Sequence, residues 1–365
     1  MFLQTLYLRN FRNYEEESFT FCPNINLIEG GNAQGKTNLL EAIYLLSCGR
    51  SFRTPHLSDL IRHGETFFYL EAHFIKDGIA QTLKMSFDGK LRKMQYNNTE
   101  YSGFSNLLGI LQSVLYVPED ISIVAGAPNE RRRFIDLHIA QFDPVYVHHL
   151  MRYFKAMKQR NSLLRQKSEA AIEAWEKSMA ASACYLIKKR EETIASLNPQ
   201  ISQCMSELSE NDDTLELFYQ PSILFSTVHK DPVEFFQMQF AKNRAREMHI
   251  GATLIGPHRD DLHILINGRH AKLFASEGQK RCCVAAIRLA EWNRLHQMIG
   301  SQPLMGVDDF GIHLDSRRNR YLQEKVKKLG QTFLTSPSFI PDALSLSQTS
   351  TLLIEKGRLL NHAER

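Results

Sequence analysis

The chain has 365 residues, 43% hydrophobic and 23% charged, which is enough apolar material for packed cores in two or three domains. Its net charge of +4 permits an anionic partner without demanding one, so local clusters matter more than the total. No stretch is apolar for long enough to cross a bilayer, and the six cysteines include no CxxC pair, which argues against a membrane protein and against a zinc site.

The opening residues, MFLQTLYLRNFRNY, alternate apolar and polar side chains and lack the continuous apolar run of a signal peptide, so a soluble cytoplasmic protein with buried, reduced thiols is expected. FLQTLYL and SFTF read as strands, and NINLIEG is a short apolar run that ends at glycines. In KTNLLEAIYLLSC, Leu39, Leu40, Ile43, Leu45 and Leu46 recur at helical spacing, and Gly49 suits the helix end. From Phe67 to Asn98 the turn pairs Asp77-Gly78 and Asp88-Gly89 divide an antiparallel β meander. SVLYVPED reads as a buried strand leaving into a loop.

After Asp143 the composition changes. Residues 147–197 contain no glycine or proline and are rich in Ala, Leu, Lys, Arg and Glu, as long helices require. Pro199 interrupts this run before the helical pattern resumes. The expectation is an α/β protein whose body, residues 1–142 and 250–365, carries an inserted helical arm at 143–249. Within the returning body, Leu262, Ile264 and Ile266 alternate ahead of Asn267-Gly268, a hairpin signal. A helix from Lys280 to about Met298, a strand ending at Asp308, a helix through Leu329 and the strand TFLTS follow.

Gly30-Gly31-Asn32-Ala33-Gln34-Gly35-Lys36-Thr37 satisfies the phosphate-binding pattern G-x-x-x-x-G-K-[ST], with a buried strand before it and an apolar helix after. The glycines let backbone N–H groups converge on phosphate oxygens, and the helix N-terminus adds its dipole. Lys36 is expected to reach the β- and γ-phosphates and Thr37 to ligate Mg²⁺, so ATP and Mg²⁺ are the expected cofactors. The apolar strand Leu304–Val307 ends in Asp308, expected to hold Mg²⁺ through water, and in Asp309, expected to orient or deprotonate the attacking water. Ser276 caps a helix that is apolar almost all round, and with Gly278 and the backbone N–H groups it offers a second anion site.

Ser-x-Gly-Gln at Ser276–Gln279, followed by the acid-ended strand, resembles the signature motif and magnesium strand of ABC-type ATPases. Across nearly the whole chain, GGNAQGKTNLLEAIYLLSCGRSFRT, VPEDISIVAGAPNERRRFID, TLIGPHRDDLHILING and FASEGQKR resemble the RecF family of recombinational DNA-repair proteins. GRSFRT and GPHRDDL are not general ATPase motifs. The resemblance implies an ABC-type head like those of Rad50 and SMC proteins, with a short helical arm in place of a long coiled coil. It implies ATP binding, ATP-dependent homodimers, binding to single-stranded, gapped or duplex DNA, slow DNA-stimulated hydrolysis, and action with RecO and RecR in loading RecA. It also implies that Ser276, Gly278 and Gln279 complete the partner's Lys36–Thr37 site in trans, and that Asp315 contacts the partner.

The sequence departs from the wider ABC pattern at several points. Asp309 stands where transport ATPases commonly have glutamate, which fits slow turnover. Gly306 replaces a large aliphatic residue and is expected to soften its strand. QTFLTS has no histidine to sense the γ-phosphate, leaving Thr335 or Ser336 as substitutes. Gln112 lies too far before the strand end for a Q-loop, and Pro118–Asp120 occupies that region. The basic residues Arg50, Arg53, Arg131–Arg133 and Lys188–Arg190 face either solvent or DNA phosphates, and Arg131–Arg133 alternatively support the core or the dimer interface. The turn with His258, Asp260 and Asp261 reads as polar structure that opens a strand. The rival readings are a transport ATPase subunit, opposed by the arm and GRSFRT, and a scaffold whose nucleotide is not hydrolysed.

Overall fold

The computed structural model describes residues 1–210, 212–223, 231–311, 316–336 and 349–364. β1 (Phe2–Phe11) and β2 (Tyr14–Thr20) lead to β3 (Ile25–Glu29) and α1 (Lys36–Cys48), which ends on left-handed Gly49. The meander follows as β4 (Phe68–Lys76), β5 (Ile79–Phe87), β6 (Arg92–Tyr96) and β7 (Thr99–Tyr101), with Asp77 and Gly78 both at positive φ in the first turn. β1 pairs with β4, giving an antiparallel sheet in the order β2-β1-β4-β5-β6-β7.

β8 (Ser113–Tyr116) is followed by α2 (Ile121–Ala125), α3 (Pro128–Ala140), α4 (Pro144–Arg165) and α5 (Ile172–Ser209). The Asp143 carboxylate accepts from the Tyr146 backbone N–H while Pro144 fills the first helical position, a start that satisfies one orphan donor and removes another. α5 runs without a break through Pro199. Beside the proline, Asn198 exchanges two 2.8 Å hydrogen bonds with the Leu217 backbone of β9 (Leu215–Gln220). α6 (Pro232–Ile250) then leads to β10 (Asp261–Ile266), β11 (Arg269–His270), α7 (Ala271–Phe274) and α8 (Glu277–Ile299). β9 lies inside the helical segment and pairs with β10 beyond it, so the two share a three-stranded sheet.

β12 (Leu304–Val307), α9 (Ser316–Val326), β13 (Thr332–Ser336) and the hairpin β14 (Thr349–Glu355) and β15 (Arg358–Glu364) complete the chain. The hairpin turns on Lys356-Gly357, both at positive φ, a pair that gives a weaker turn signal than Asn-Gly or Asp-Gly. The second large sheet has the order β15-β14-β3-β13-β12-β8 and is parallel except for the edge strand β15. Neighbouring residues on its strands face opposite cores: Leu27, Val114 and Leu334 join the helices, whereas Ile28, Leu115 and Phe333 join α1 and the antiparallel sheet. α5 and α8 share the helical core. At Gly306 a Cβ would lie 2.5 Å from Leu115 Cδ1, so the glycine makes room for the neighbouring strand's leucine rather than leaving a soft point.

Candidate nucleotide site

The loop after β3 bends through positive φ at Gly30 (150°), Ala33 (62°) and Gly35 (128°). A Cβ on Gly30 would sit 2.2 Å from the Ile354 carbonyl oxygen, so only glycine passes beside β14. α1 starts at Lys36 with no side-chain cap, which leaves its first-turn N–H groups oriented for an anion. Lys36 is 6% exposed and its Nζ donates to the carbonyls of Gly30 (2.7 Å) and Gly31 (2.8 Å). Burial lowers its pKa, and the nearby Asp309 and Asp308 carboxylates oppose that shift.

Residues distant in the chain brace this loop. Tyr14 Oη donates to Gly35 O (2.9 Å), Asn13 Nδ2 to Gln34 O (2.8 Å), and the Lys356 and Gly357 backbone N–H groups to Gln34 Oε1 (2.6 Å) and Gln34 O (2.9 Å). Glu41, fully buried on α1, accepts from Arg12 Nε (2.8 Å) and Nη2 (2.7 Å) and from the Ser51 hydroxyl. Arg53 Nη1 donates to Asn38 Oδ1 (2.9 Å), so GRSFRT is fastened to the helix that carries Lys36. Sequence reading missed these supports because each partner is an ordinary polar residue with no spacing that marks it.

Asp308 and Asp309 follow β12, beside the loop. Thr37 Oγ1 donates to Asp308 Oδ2 (3.0 Å) and Oδ1 (3.1 Å), and Thr335 Oγ1 donates to Asp308 Oδ1 (2.5 Å). The Thr335 hydroxyl also accepts from the Asp309 backbone N–H (2.9 Å), so it spans both acids. Asp309 has φ 53°, a turn that sends the chain away from the strand line. Burial raises the Asp308 pKa, and the Asp309 and Glu119 charges add to the rise. Glu119 in the turn after β8 is therefore a further acid near this centre. The Thr37 hydroxyl and Asp308 carboxylate are adjacent hard oxygen donors, a set that fits Mg²⁺.

The start of α8 is a separate cluster with partners of its own. Ser276 Oγ accepts from the Gln279 N–H (3.2 Å), Gln279 Oε1 accepts from the Ser276 N–H (3.0 Å), and Gln279 Nε2 donates to Asp213 (3.0 Å). Ser276 and Gly278 are exposed, while Cys282–Ile287 are buried. The structure thus brings Lys36, Thr37, Asp308 and Asp309 together and presents Ser276 and Gly278 to solvent. Asp315 lies outside the described residues.

Most of the basic runs face inward. Arg131 grips Asp261 with two bonds (2.8 and 2.9 Å), Arg132 donates to Asp260 O (2.6 Å), and Arg133 donates to Ser51 O (3.0 Å). Arg190, 1% exposed, joins Asp136, Asp260 and the Pro257 carbonyl. Arg50 and Lys188 remain exposed. His258 Nδ1 pairs with the Tyr153 hydroxyl (2.7 Å), so GPHRDDL is a structural hub between the helices and β10.

Residues 2–338 match the family described as the RecF/RecN/SMC N-terminal domain. The chain is 50% identical over 344 residues to the DNA replication and repair protein RecF of Protochlamydia amoebophila, covering 93% of this chain and 96% of that one. It is 38% identical to the Chlamydia caviae protein of the same description, covering 96% and 95%. A solved structure described as the recombination mediator protein RecF-ATP in the RecFOR pathway superimposes with a TM-score of 0.90 at 30% identity, covering 100% of this chain and 97% of that one. An Smc head bound to the C-winged helix domain of ScpA, with a TM-score of 0.59 at 16% identity over 100% of this chain and 98% of that one, shares the fold. With its ABC-type fold and this extent of likeness, the chain belongs to the RecF family of DNA replication and repair proteins.

Proposed function

We propose that this chain is an ATP-gated homodimeric DNA-binding protein of recombinational repair and replication restart, with a slow ATPase that DNA stimulates. The observation that carries the reading is the meeting of Thr37 with Asp308, 271 residues further along, directly after the buried Lys36. The relatives support it: one solved family member is described as RecF-ATP in the RecFOR pathway, and the curated ones as DNA replication and repair proteins.

In this reading the N–H groups of Gly30–Gly35 and the start of α1 hold the triphosphate of ATP. Lys36 Nζ exchanges its two loop carbonyls for phosphate oxygens. Thr37 and Asp308 hold Mg²⁺, which supplies neutralising charge to the phosphates when bound. Asp309 orients or deprotonates water, and Thr335 keeps both acids in register. Ser276, Gly278 and Gln279 reach the nucleotide of the partner subunit, a role supported by the exposure of Ser276 and Gly278 at the start of α8, with Gln279 half-buried behind them. Residues 1–142 and 250–365 act as the head, residues 143–249 as the arm, and RecO and RecR join the complex on gapped DNA to load RecA.

Sedimentation with and without Mg-ATP tests the reading. The wild type is expected to dimerise with nucleotide, Lys36→Arg to lose nucleotide-driven dimers or turnover, and Ser276→Ala to bind ATP as a monomer while dimerising weakly. A wild type that stays monomeric at saturating Mg-ATP, with and without DNA, overturns the dimer. Loss of nucleotide binding by the Ser276→Ala monomer overturns the trans assignment.

A further inference from the structure

A groove of about 500 Å³ opens where α3, α4 and the loop after α1 meet, away from the nucleotide site. One wall is apolar. Leu150, Met151 and Phe154 of α4 line it, and Met151 and Phe154 are 56% and 42% exposed. Their i, i+3 spacing puts the two on one face of the helix. Exposed Met and Phe together at the lip of a concavity mark an interaction surface more than a solubility feature.

The opposite wall is cationic. Arg50, Arg132 and Arg133 line it together with Arg190. Arg190 is neutralised by Asp136 at 2.8 Å, the one carboxylate of the lining. Arg132 and Arg133 are instead anchored by the carbonyl oxygens of Asp260 and Ser51, which hold a guanidinium without cancelling its charge. Burial, and then the neighbouring Arg190, lower the Arg132 pKa, while the Asp261, Asp136 and Asp260 carboxylates oppose that shift.

We propose that this groove docks an acidic peptide segment of a partner protein, with an aromatic or aliphatic side chain against Leu150, Met151 and Phe154 and carboxylates on Arg50, Arg132 and Arg133. Guanidinium groups match carboxylates with paired hydrogen bonds, and a flexible thioether beside Phe and Leu accepts a side-chain knob. A groove for nucleic-acid bases uses successive flat aromatic faces. Here Phe154 is the one phenyl ring of the lining, beside Leu150 and Met151, and the other ring, His258, is held by the Tyr153 hydroxyl and the Thr253 carbonyl, which favours the peptide.

The test is display selection of a random peptide library on the full chain, with Met151→Glu and Arg50→Glu proteins as counter-selection. Both positions are exposed, so equal thermal midpoints verify folding. Enriched peptides are expected to combine Asp or Glu with Phe, Trp or Leu. Their synthetic copies should bind in a salt-sensitive way and lose about tenfold in affinity in each variant. An empty selection, a basic or uncharged consensus, or binding that ignores both substitutions overturns the proposal. So does a single-stranded oligonucleotide that loses affinity in both variants when no acidic peptide does, because the groove then serves nucleic acid.

Discussion

Lys36 and Glu41 are both buried charges on α1, and they are tolerated for different reasons. Lys36 is exchangeable in the proposed reading: its ammonium lies against two loop carbonyls and near two carboxylates, a position from which it would turn to a phosphate. Glu41 is permanent, held by Arg12 and Ser51 beneath the loop. Removing one partner of a buried pair leaves the other uncompensated. Arg12→Ala is therefore expected to destabilise the protein by roughly 2–4 kcal/mol in denaturant titration, with Arg12→Lys recovering only part because one ammonium cannot replace two parallel N–H bonds. His258 gives a pH dependence. Burial lowers its pKa to about 4, with the neighbouring Arg259, Arg132 and Arg190 adding to the shift against the Thr253 carbonyl. The unfolded chain takes up a proton near its ordinary value of about 6.5 while the folded chain resists, so stability falls as pH drops from about 6.5 toward about 4. Discounted for partial exposure, the loss between neutral pH and about pH 5 is about 1–2 kcal/mol. A His258→Gln protein compared with wild type by denaturant midpoint at both pH values should lose less.

At the level of elements, buried ion pairs join the helices of the inserted segment. Arg160 of α4, fully buried, contacts Glu176 of α5 at 2.9 Å and Glu247 of α6 at 2.6 Å, with Phe240 beneath its guanidinium. Arg160→Met is expected to cost about 3–5 kcal/mol because Glu247 loses its counterion while Glu176 keeps only Arg244, and adding Glu247→Leu should recover part of it, as a double-mutant cycle would measure. The glycine loop depends on an element just as far away. Gly30→Ala must push its methyl into the Ile354 carbonyl of β14 from a left-handed φ. ATP affinity, measured by calorimetry, should fall more than about tenfold, and denaturant titration should show a stability loss of about 1–3 kcal/mol from the same strain.

At the level of the whole molecule, the parallel sheet gathers strands from the beginning, middle and end of the chain, in the order β14-β3-β13-β12-β8. The final hairpin braces the glycine loop of the candidate nucleotide site: β14 pairs with β3, and Lys356 and Gly357 hold Gln34. Deleting residues 349–365 is expected to expose the edge of β3 and abolish both ATP binding and soluble expression, which nucleotide titration of any soluble fraction checks. Sequence reading ended at TFLTS and missed this hairpin because its Lys-Gly turn lacks the Asn-Gly or Asp-Gly signal. It left Arg131–Arg133 open between solvent, DNA phosphates and support of the core or dimer interface, and only the fold shows the three guanidiniums reaching Asp261, Asp260 O and Ser51 O.

The α/β class, the meander, the glycine loop and the acid-ended strand were legible along the chain, since side-chain periodicity and turn chemistry depend on near neighbours. The same applies to Ser276, whose cap closes on Gln279 three residues away. The contact of Thr37 with Asp308, the brace of Asn13, Tyr14 and Lys356 around the loop, and the continuous course of α5 through Pro199 emerged only from the folded arrangement. Each depends on which strands become neighbours, and the burial that selects that order is a property of the packed molecule rather than of any local segment.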